Sequence, residues 1–183
     1  TRALALKMAH LAHHDTLTGL PNRALLQSRM EFAATVATRR NQRAALLFVD
    51  IDHFKQINDS MGHAAGDALL QEVARRIRGA VRSDDTVSRL GGDEFSILMP
   101  QADMTSALAA AETRRAAVEQ VDFVWEGRTF GVTASVGLVY AQAGAISPDE
   151  MMRAADMACF MAKEKGRNRV HEHREEDREL IGR

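Results

Sequence analysis

At 183 residues the chain is long enough for one domain with a real core, with short segments to spare. Charged residues make up 27% and hydrophobic ones 45%, the balance of a globular protein rather than a disordered one. The formal net charge of −1 gives no electrostatic case for nucleic acid or a membrane surface, and no apolar run approaches the ~20 residues needed to cross a bilayer.

Taken in chain order, 2–13 is predicted helical, because Leu4, Met8 and Leu11 fall at spacings of four and three. This helix either docks on the domain or continues upstream as a coiled-coil stalk. His10, His13 and His14 read as solvated linker residues sooner than as a metal site. Residues 15–20 form a loop with Gly19 as its turn residue. Pro21 is placed in the first turn of a helix running to about 40, with Leu25, Leu26, Met30, Ala33 and Ala37 on one face. Residues 44–49 are continuously apolar and end in Asp50-Ile51-Asp52, which reads as a strand buried on both faces. His53 to Asn58 turn into a short helix whose first N–H groups are unpaired and suited to anionic oxygens.

A helix follows over 66–81, with Leu69, Leu70, Val73 and Ile77 inward and Arg75, Arg76 and Arg78 outward. Taken alone, Asn58 is a cap, Asp67 a first-turn helix residue, and Arg82-Ser83-Asp84-Asp85 a solvated turn. Residues 86–90 and 95–99 form a hairpin around Gly91-Gly92, since glycine accepts the positive φ of a tight turn. A helix spans 107–121 and carries the pair Arg114-Arg115. Strands are expected at 121–125 and 129–141, with Gly137 marking a bulge or a close backbone approach. Ser147 caps a helix that has Pro148 at its first position and stops at Gly166. Cys159 within it reads as a small buried apolar residue, and as the single cysteine it excludes an internal disulfide. Lys163 and Arg167, four apart, sit where the helix dipole favours cations. Residues 168–171 form a last edge strand, and 173–183 a solvated or frayed helix.

Two acidic sites stand out. Side chains alternate along a strand, so Asp50 and Asp52 share one side at its end. Burying paired carboxylates is costly unless a cation meets them, and Mg2+ takes carboxylate oxygens together with substrate phosphates. If the hairpin pairs beside this strand, Asp50, Asp93 and Glu94 converge, as in sites that hold two metal ions for phosphoryl transfer.

Five separated stretches carry a resemblance. They are Asp15-Thr16-Leu17-Thr18-Gly19-Leu20-Pro21-Asn22-Arg23; Asp50-Ile51-Asp52-His53-Phe54-Lys55-Gln56-Ile57-Asn58-Asp59; Gly62-His63-Ala64-Ala65-Gly66-Asp67; Gly91-Gly92-Asp93-Glu94-Phe95; and Ala162-Lys163-Glu164-Lys165-Gly166-Arg167-Asn168. Together they resemble the GGDEF family, the diguanylate cyclases, from about 15 to 170. The resemblance implies an α+β fold: a mostly antiparallel five-stranded sheet flanked by helices, related to nucleotide cyclases and the polymerase palm, with a ferredoxin-like core. It implies a nucleotidyltransferase that joins two GTP into cyclic di-GMP and pyrophosphate. Asp50, Asp93, Glu94 and the Ile51 carbonyl would hold Mg2+, with Mn2+ as a substitute. Asp93, Glu94, Lys163 and Arg167 would be catalytic, Lys163 and Arg167 through the triphosphate. The main chain at His53 and Phe54, with Lys55, Gly91 and Gly92, would bind substrate, and Asn58 and Asp67 would hold the guanine.

Arg82 and Asp85 match the family's inhibitory product site, and Arg114 or Arg115 could complete that site from a second subunit. Two such domains would face each other, so the resemblance implies a homodimer. It divides the chain into a signalling helix at 1–14 below an upstream sensor, a cyclase domain at 15–171 and a charged tail at 172–183. The opening on Thr1 rather than Met also reads as part of a longer protein. Neither nucleic acid nor direct membrane contact is expected. The setting is a reducing cytoplasm, with the full-length protein free to be membrane-tethered. The family usually has tyrosine where Phe160 stands, and the ring is expected among core positions. Rival readings are a regulatory module that binds GTP or cyclic di-GMP without turnover, a cyclase of other nucleotide preference, and a dimerising relay.

Overall fold

The computed structural model describes residues 1–40, 42–79, 82–142 and 146–173. The chain runs α1 (Arg2–His13), α2 (Arg23–Arg40), β1 (Arg43–Ile51), α3 (Phe54–Met61), α4 (His63–Arg78), β2 (Thr86–Gly91), β3 (Glu94–Met99), α5 (Met104–Glu119), β4 (Asp122–Trp125), β5 (Arg128–Gly131), β6 (Ala134–Gln142), α6 (Pro148–Glu164) and β7 (Arg169–Glu172). The main sheet has the order β2-β3-β1-β6-β7, and β4 and β5 form a separate hairpin. Pairs β2/β3, β3/β1 and β1/β6 are antiparallel, whereas β6/β7 is parallel. The expected mostly antiparallel five-stranded sheet is therefore present, closed at one edge by a parallel pair. Omitting β7, the chain path β1-α4-β2-β3-α5-β6 is the βαββαβ ferredoxin-like unit.

Strand β1 lies at the centre and is buried from its second residue to its last. Its alternation sorts the core into two layers. Ala45, Leu47, Val49 and Ile51 face Leu69, Val73 and Ile77 of α4 and Ala107, Ala111 and Val118 of α5. Ala44, Leu46 and Phe48 face Leu26 and Met30 of α2 and Met151, Met152, Ala155 and Cys159 of α6. The parity that sends Leu46 and Phe48 to α6 carries Asp50 to the same side. Helix α6 lies very close to β6 at Gly137, where a Cβ would stand 2.3 Å from the Cys159 N and 2.4 Å from the Ala155 O. The expected close approach is what this glycine provides.

Several expectations are corrected. Pro21 is not in the first turn of α2; it bridges His14, and Asn22 caps the helix by accepting from the Leu25 N–H at 3.1 Å. The strand expected over 129–141 is two strands, β5 and β6, broken at Val132 and Thr133. Phe160 does not sit among core positions but is 49% exposed on α6, because that helix turns only one face to the sheet. The C-terminal end of the helix expected to reach 81, and the tail from 174 onward, lie outside the described residues. No helix among the described residues is long and apolar enough to cross a membrane.

Candidate active site

The hairpin and β1 assemble the acidic site. Two-residue turn Gly92-Asp93 joins β2 to β3, and both Gly91 (φ 143°) and Gly92 (φ 49°) use the positive φ that only glycine adopts readily. An irregularity between Arg89 and Gly91 re-aims the strand end. Asp50 stands directly opposite Glu94 across β1 and β3, and the Asp93 carbonyl accepts from the Ile51 N–H at 3.4 Å. The three carboxylates expected to converge are thus brought to one end of the sheet.

Lys163, in the last turn of α6, donates to the Asp50 carboxylate. Burial pushes the Asp50 carboxyl above its ordinary range; the neighbouring Asp93 and Asp156 charges add to this, and together they outweigh Lys163. Lys163 loses some of its proton affinity to burial, but the Asp50 contact outweighs that and raises it. Burial also pushes up Asp93 and Glu94, the latter helped by Asp50, Asp156 and Asp93. Lys163 is the cation in contact with these carboxylates, Arg89 and Arg23 act on Asp93 and Glu94 from further off, and burial still leaves all three carboxyls above their ordinary values. That is the electrostatic deficit a divalent cation relieves. Among the described residues no group of three or more acidic, imidazole or thiol side chains is placed to hold a metal ion by itself.

Asp52 behaves differently from Asp50. It is buried, and it accepts from Ser135 Oγ at 2.6 Å, Thr133 Oγ1 at 2.7 Å and the Asn168 N–H at 3.0 Å. Neutral donors already satisfy Asp52, so its burial needs no cation, unlike that of Asp50.

His53 precedes α3 in a left-handed conformation (φ 59°), so the turn presents the start of the helix. His53 and Lys55 are exposed and Phe54 is half-buried. Asn58, on α3, has a buried Oδ1 without a partner. Gly66 of α4 faces it so closely that a Cβ there would lie 1.8 Å from Oδ1. Asp67 follows Gly66 and is exposed. Arg167 is exposed after α6, also with positive φ (62°).

Arg82 and Asp85 share a small cavity of about 120 Å3 with Arg114. Arg114 is buried and donates to the Gly79 carbonyl of its own subunit, while its Nε is buried without a partner. Arg115 is bound to Glu112, Glu119 and Asn168 of its own chain. Within one chain, Arg114 is the arginine that lines this cavity beside Arg82 and Asp85.

Sequence reasoning passed over Arg89. Its guanidinium donates to Asp15 Oδ1 at 2.9 Å and, through Nε and Nη2, to the Gly92 carbonyl at 3.1 and 2.8 Å. Asp15 Oδ2 meanwhile accepts from the Thr18 N–H and hydroxyl. The turn after α1 is thereby fastened to the turn that carries Asp93. The signal was present, in an arginine just before the glycines and an unpaired aspartate opening the first motif.

The family model described as "Diguanylate cyclase, GGDEF domain" matches residues 12–169. The chain belongs to the GGDEF family. It is 41% identical over 170 residues to a probable diguanylate cyclase, DgcE, of Escherichia coli, covering 93% of this chain and 15% of that protein. It is 42% identical over 161 residues to the diguanylate cyclase TpbB of Pseudomonas aeruginosa, covering 87% of this chain and 37% of the relative. The chain thus spans well under half the length of these relatives. A structure of the isolated GGDEF domain of TpbB superposes with a TM-score of 0.84 at 37% identity, covering 93% of this chain and all of that one. The coiled coil and GGDEF domain of DgcB from Caulobacter crescentus, solved in complex with c-di-GMP, gives 0.88 at 28% identity, covering 93% of this chain and 91% of that one.

Proposed function

We propose that this GGDEF domain is a diguanylate cyclase that condenses two GTP into cyclic di-GMP and two pyrophosphates. The observation that carries the reading is the pairing of Asp50 with Glu94 beside Asp93, with too little positive charge around them. Asp50, Asp93, Glu94 and the Ile51 carbonyl would hold Mg2+, or Mn2+ in its place. When bound, the ion neutralises charge on the triphosphate and on the phosphoryl group in transfer. Lys163 and Arg167, with Lys55 and the N–H groups at His53 and Phe54, hold the phosphates. Gly91 and Gly92 let the nucleotide lie close to the hairpin backbone.

Asn58 and Asp67 would hold the guanine by accepting from its N–H donors. Adenine would leave these acceptors unpaired, which favours guanine over other nucleotides. The 3′-hydroxyl of each GTP attacks the α-phosphorus of the other, so each new P–O bond expels one pyrophosphate. One domain holds one GTP, so two copies face each other about a two-fold axis. Leu4, Met8 and Leu11 leave an apolar stripe of α1 exposed, which suits a stalk below an upstream sensor and extends the division into 1–14, 15–171 and 172–183. Arg82, Asp85 and Arg114 would take cyclic di-GMP as an inhibitor, since guanidinium groups bond phosphate and guanine edges in pairs. The domain works in the cytoplasm, where its GTP is.

The test is turnover of GTP with Mg2+ followed by chromatography at several protein concentrations. Cyclic di-GMP formed with specific activity rising with concentration supports a dimeric cyclase. GTP bound but never converted at high concentration refutes it in favour of a binding module. Turnover surviving Asp93→Ala with Glu94→Ala refutes the site assignment.

A further inference from the structure

We propose that Asp52 is a positioning residue for the phosphate end of the nucleotide: through the Asn168 N–H it holds the turn that aims Arg167. The inference rests on the reading that Arg167 meets the triphosphate.

Asp52 is 5% exposed, so its carboxylate is inside the fold and must be satisfied there. Its donors come from two places. Thr133 and Ser135 lie at the start of β6 and fix the carboxylate to the sheet. The third donor, the Asn168 N–H, belongs to the turn between α6 and β7. That turn is unusual. Gly166, Arg167 and Asn168 have φ of 120°, 62° and 47°, three positive values in succession. Residues with a Cβ adopt this region reluctantly, and two in a row persist only where the surroundings over-determine them.

The surroundings do so from three sides. The end of α6 supplies Ala162 and Lys163 carbonyls to the N–H groups of Arg167 and Gly166 at 3.0 and 3.2 Å. The end of β1 supplies Asp52. Helix α5 supplies Arg115, whose Nη1 donates to Asn168 Oδ1 at 2.7 Å. Arg115 is itself fixed by Glu112 and Glu119, so it acts as a post and not a tether. Arg167 thus projects from a turn gripped on both flanks. Removing Asp52 releases the Asn168 N–H and lets the left-handed pair relax to a right-handed or extended backbone, which swings the guanidinium away.

The test compares equilibrium binding of 3′-deoxy-GTP, which lacks the attacking hydroxyl and is not consumed, with that of GMP, which lacks the two terminal phosphates. Arg167→Ala should weaken 3′-deoxy-GTP about tenfold or more, the loss of a charge-assisted hydrogen bond, and leave GMP within about twofold. Asp52→Ala should reproduce this selective loss. The double variant should be no weaker than Arg167→Ala alone, because both changes remove one interaction. Asp52→Asn should recover most of the affinity, since its amide oxygen still accepts from Asn168 while its NH2 donates to Ser135.

Losses that multiply in the double variant overturn the proposal, as does an equal loss of GMP or Asn behaving like Ala. If Arg167→Ala itself leaves 3′-deoxy-GTP unaffected, the phosphate reading fails instead. Should Asp52→Ala not fold, Arg115→Met serves, with about a threefold selective loss expected from loosening Asn168 at its side chain instead of its N–H. Unchanged 3′-deoxy-GTP affinity there overturns the proposal.

Discussion

Replacing Arg89 by alanine should both destabilise the domain and impair turnover. The Arg89–Asp15 pair spans 2.9 Å, and its side chains are 14% and 17% exposed, which places it between surface pairs worth less than ~1 kcal/mol and buried ones costing ~3–5 kcal/mol to break. The two bonds to the Gly92 carbonyl are lost as well. A loss of about 2 kcal/mol follows, and for a domain of this size Tm falls by about 4–8 °C. Arg89→Lys should restore less than half, because one ammonium cannot serve both the Asp15 carboxylate and the Gly92 carbonyl.

The pH dependence identifies the cause. Burial alone would raise the Asp15 carboxyl, but the Thr18 donors and Arg89 outweigh it and hold it below its ordinary value. Its folded value is therefore below its unfolded one. The stabilisation is complete above the ordinary carboxylate range and is lost as pH falls through the folded value. The gap in Tm between wild type and Arg89→Ala should narrow below about pH 4. With the Gly92 carbonyl released, Asp93 and Glu94 lose their fixed aim, and kcat should fall about 10- to 100-fold. Thermal melts from pH 3 to 8 and initial rates test both parts. A Tm change under about 1 °C at pH 7, or a gap that stays constant into acid, would refute the reasoning.

Three further outcomes are expected. Glu94→Gln should abolish turnover yet raise Tm at pH 7 by up to about 4 °C, because like charges directly opposite across strands cost ~0.2–1 kcal/mol. Burial first, then Asp50, holds the Glu94 carboxyl above its ordinary value, so this gain should vanish as pH falls and Glu94 takes up its proton. Gly137→Ala should cost about 3 kcal/mol or more and lower Tm by at least about 6 °C, since helix backbone leaves no room for a methyl group. Arg82→Ala should relieve inhibition by added cyclic di-GMP in a rate assay, and unchanged inhibition would remove Arg82 from the product site.

The elements that the sequence announced best are those with a strong local cause. The apolar run before Asp50 reads as a strand buried on both faces, which β1 is, and Ser147 with Pro148 marks the start of α6: the Ser147 hydroxyl accepts from the Glu150 N–H at 3.1 Å. Errors arose where tertiary contacts overrule local preference. Pro21 suits a first helical turn, but its carbonyl accepts from the Arg89 N–H at 2.9 Å, and that pairing delays the helix until Asn22 can cap it. Thr133 is as β-prone as its neighbours, yet its carbonyl and hydroxyl both bond Asp52, which breaks the long strand in two. Phe160 looked apolar enough for the core, but α6 fills its buried face with Met151, Met152, Ala155, Ala158, Cys159 and Ala162.

The same limit separates the two aspartates after β1. In sequence Asp50 and Asp52 are alike: both acidic, both at the end of an apolar run, on one side of the strand. Their roles are decided by partners far away in the chain. Asp50 meets Glu94 and Lys163, and the proposed metal and triphosphate would complete the charge balance there. Asp52 meets two hydroxyls and a main-chain N–H, and it is finished by the fold itself. A saturated carboxylate has little left to offer a ligand, but it can transmit position. Spacing locates a site; which of its residues does chemistry and which holds the others depends on the unsatisfied charge that remains after folding.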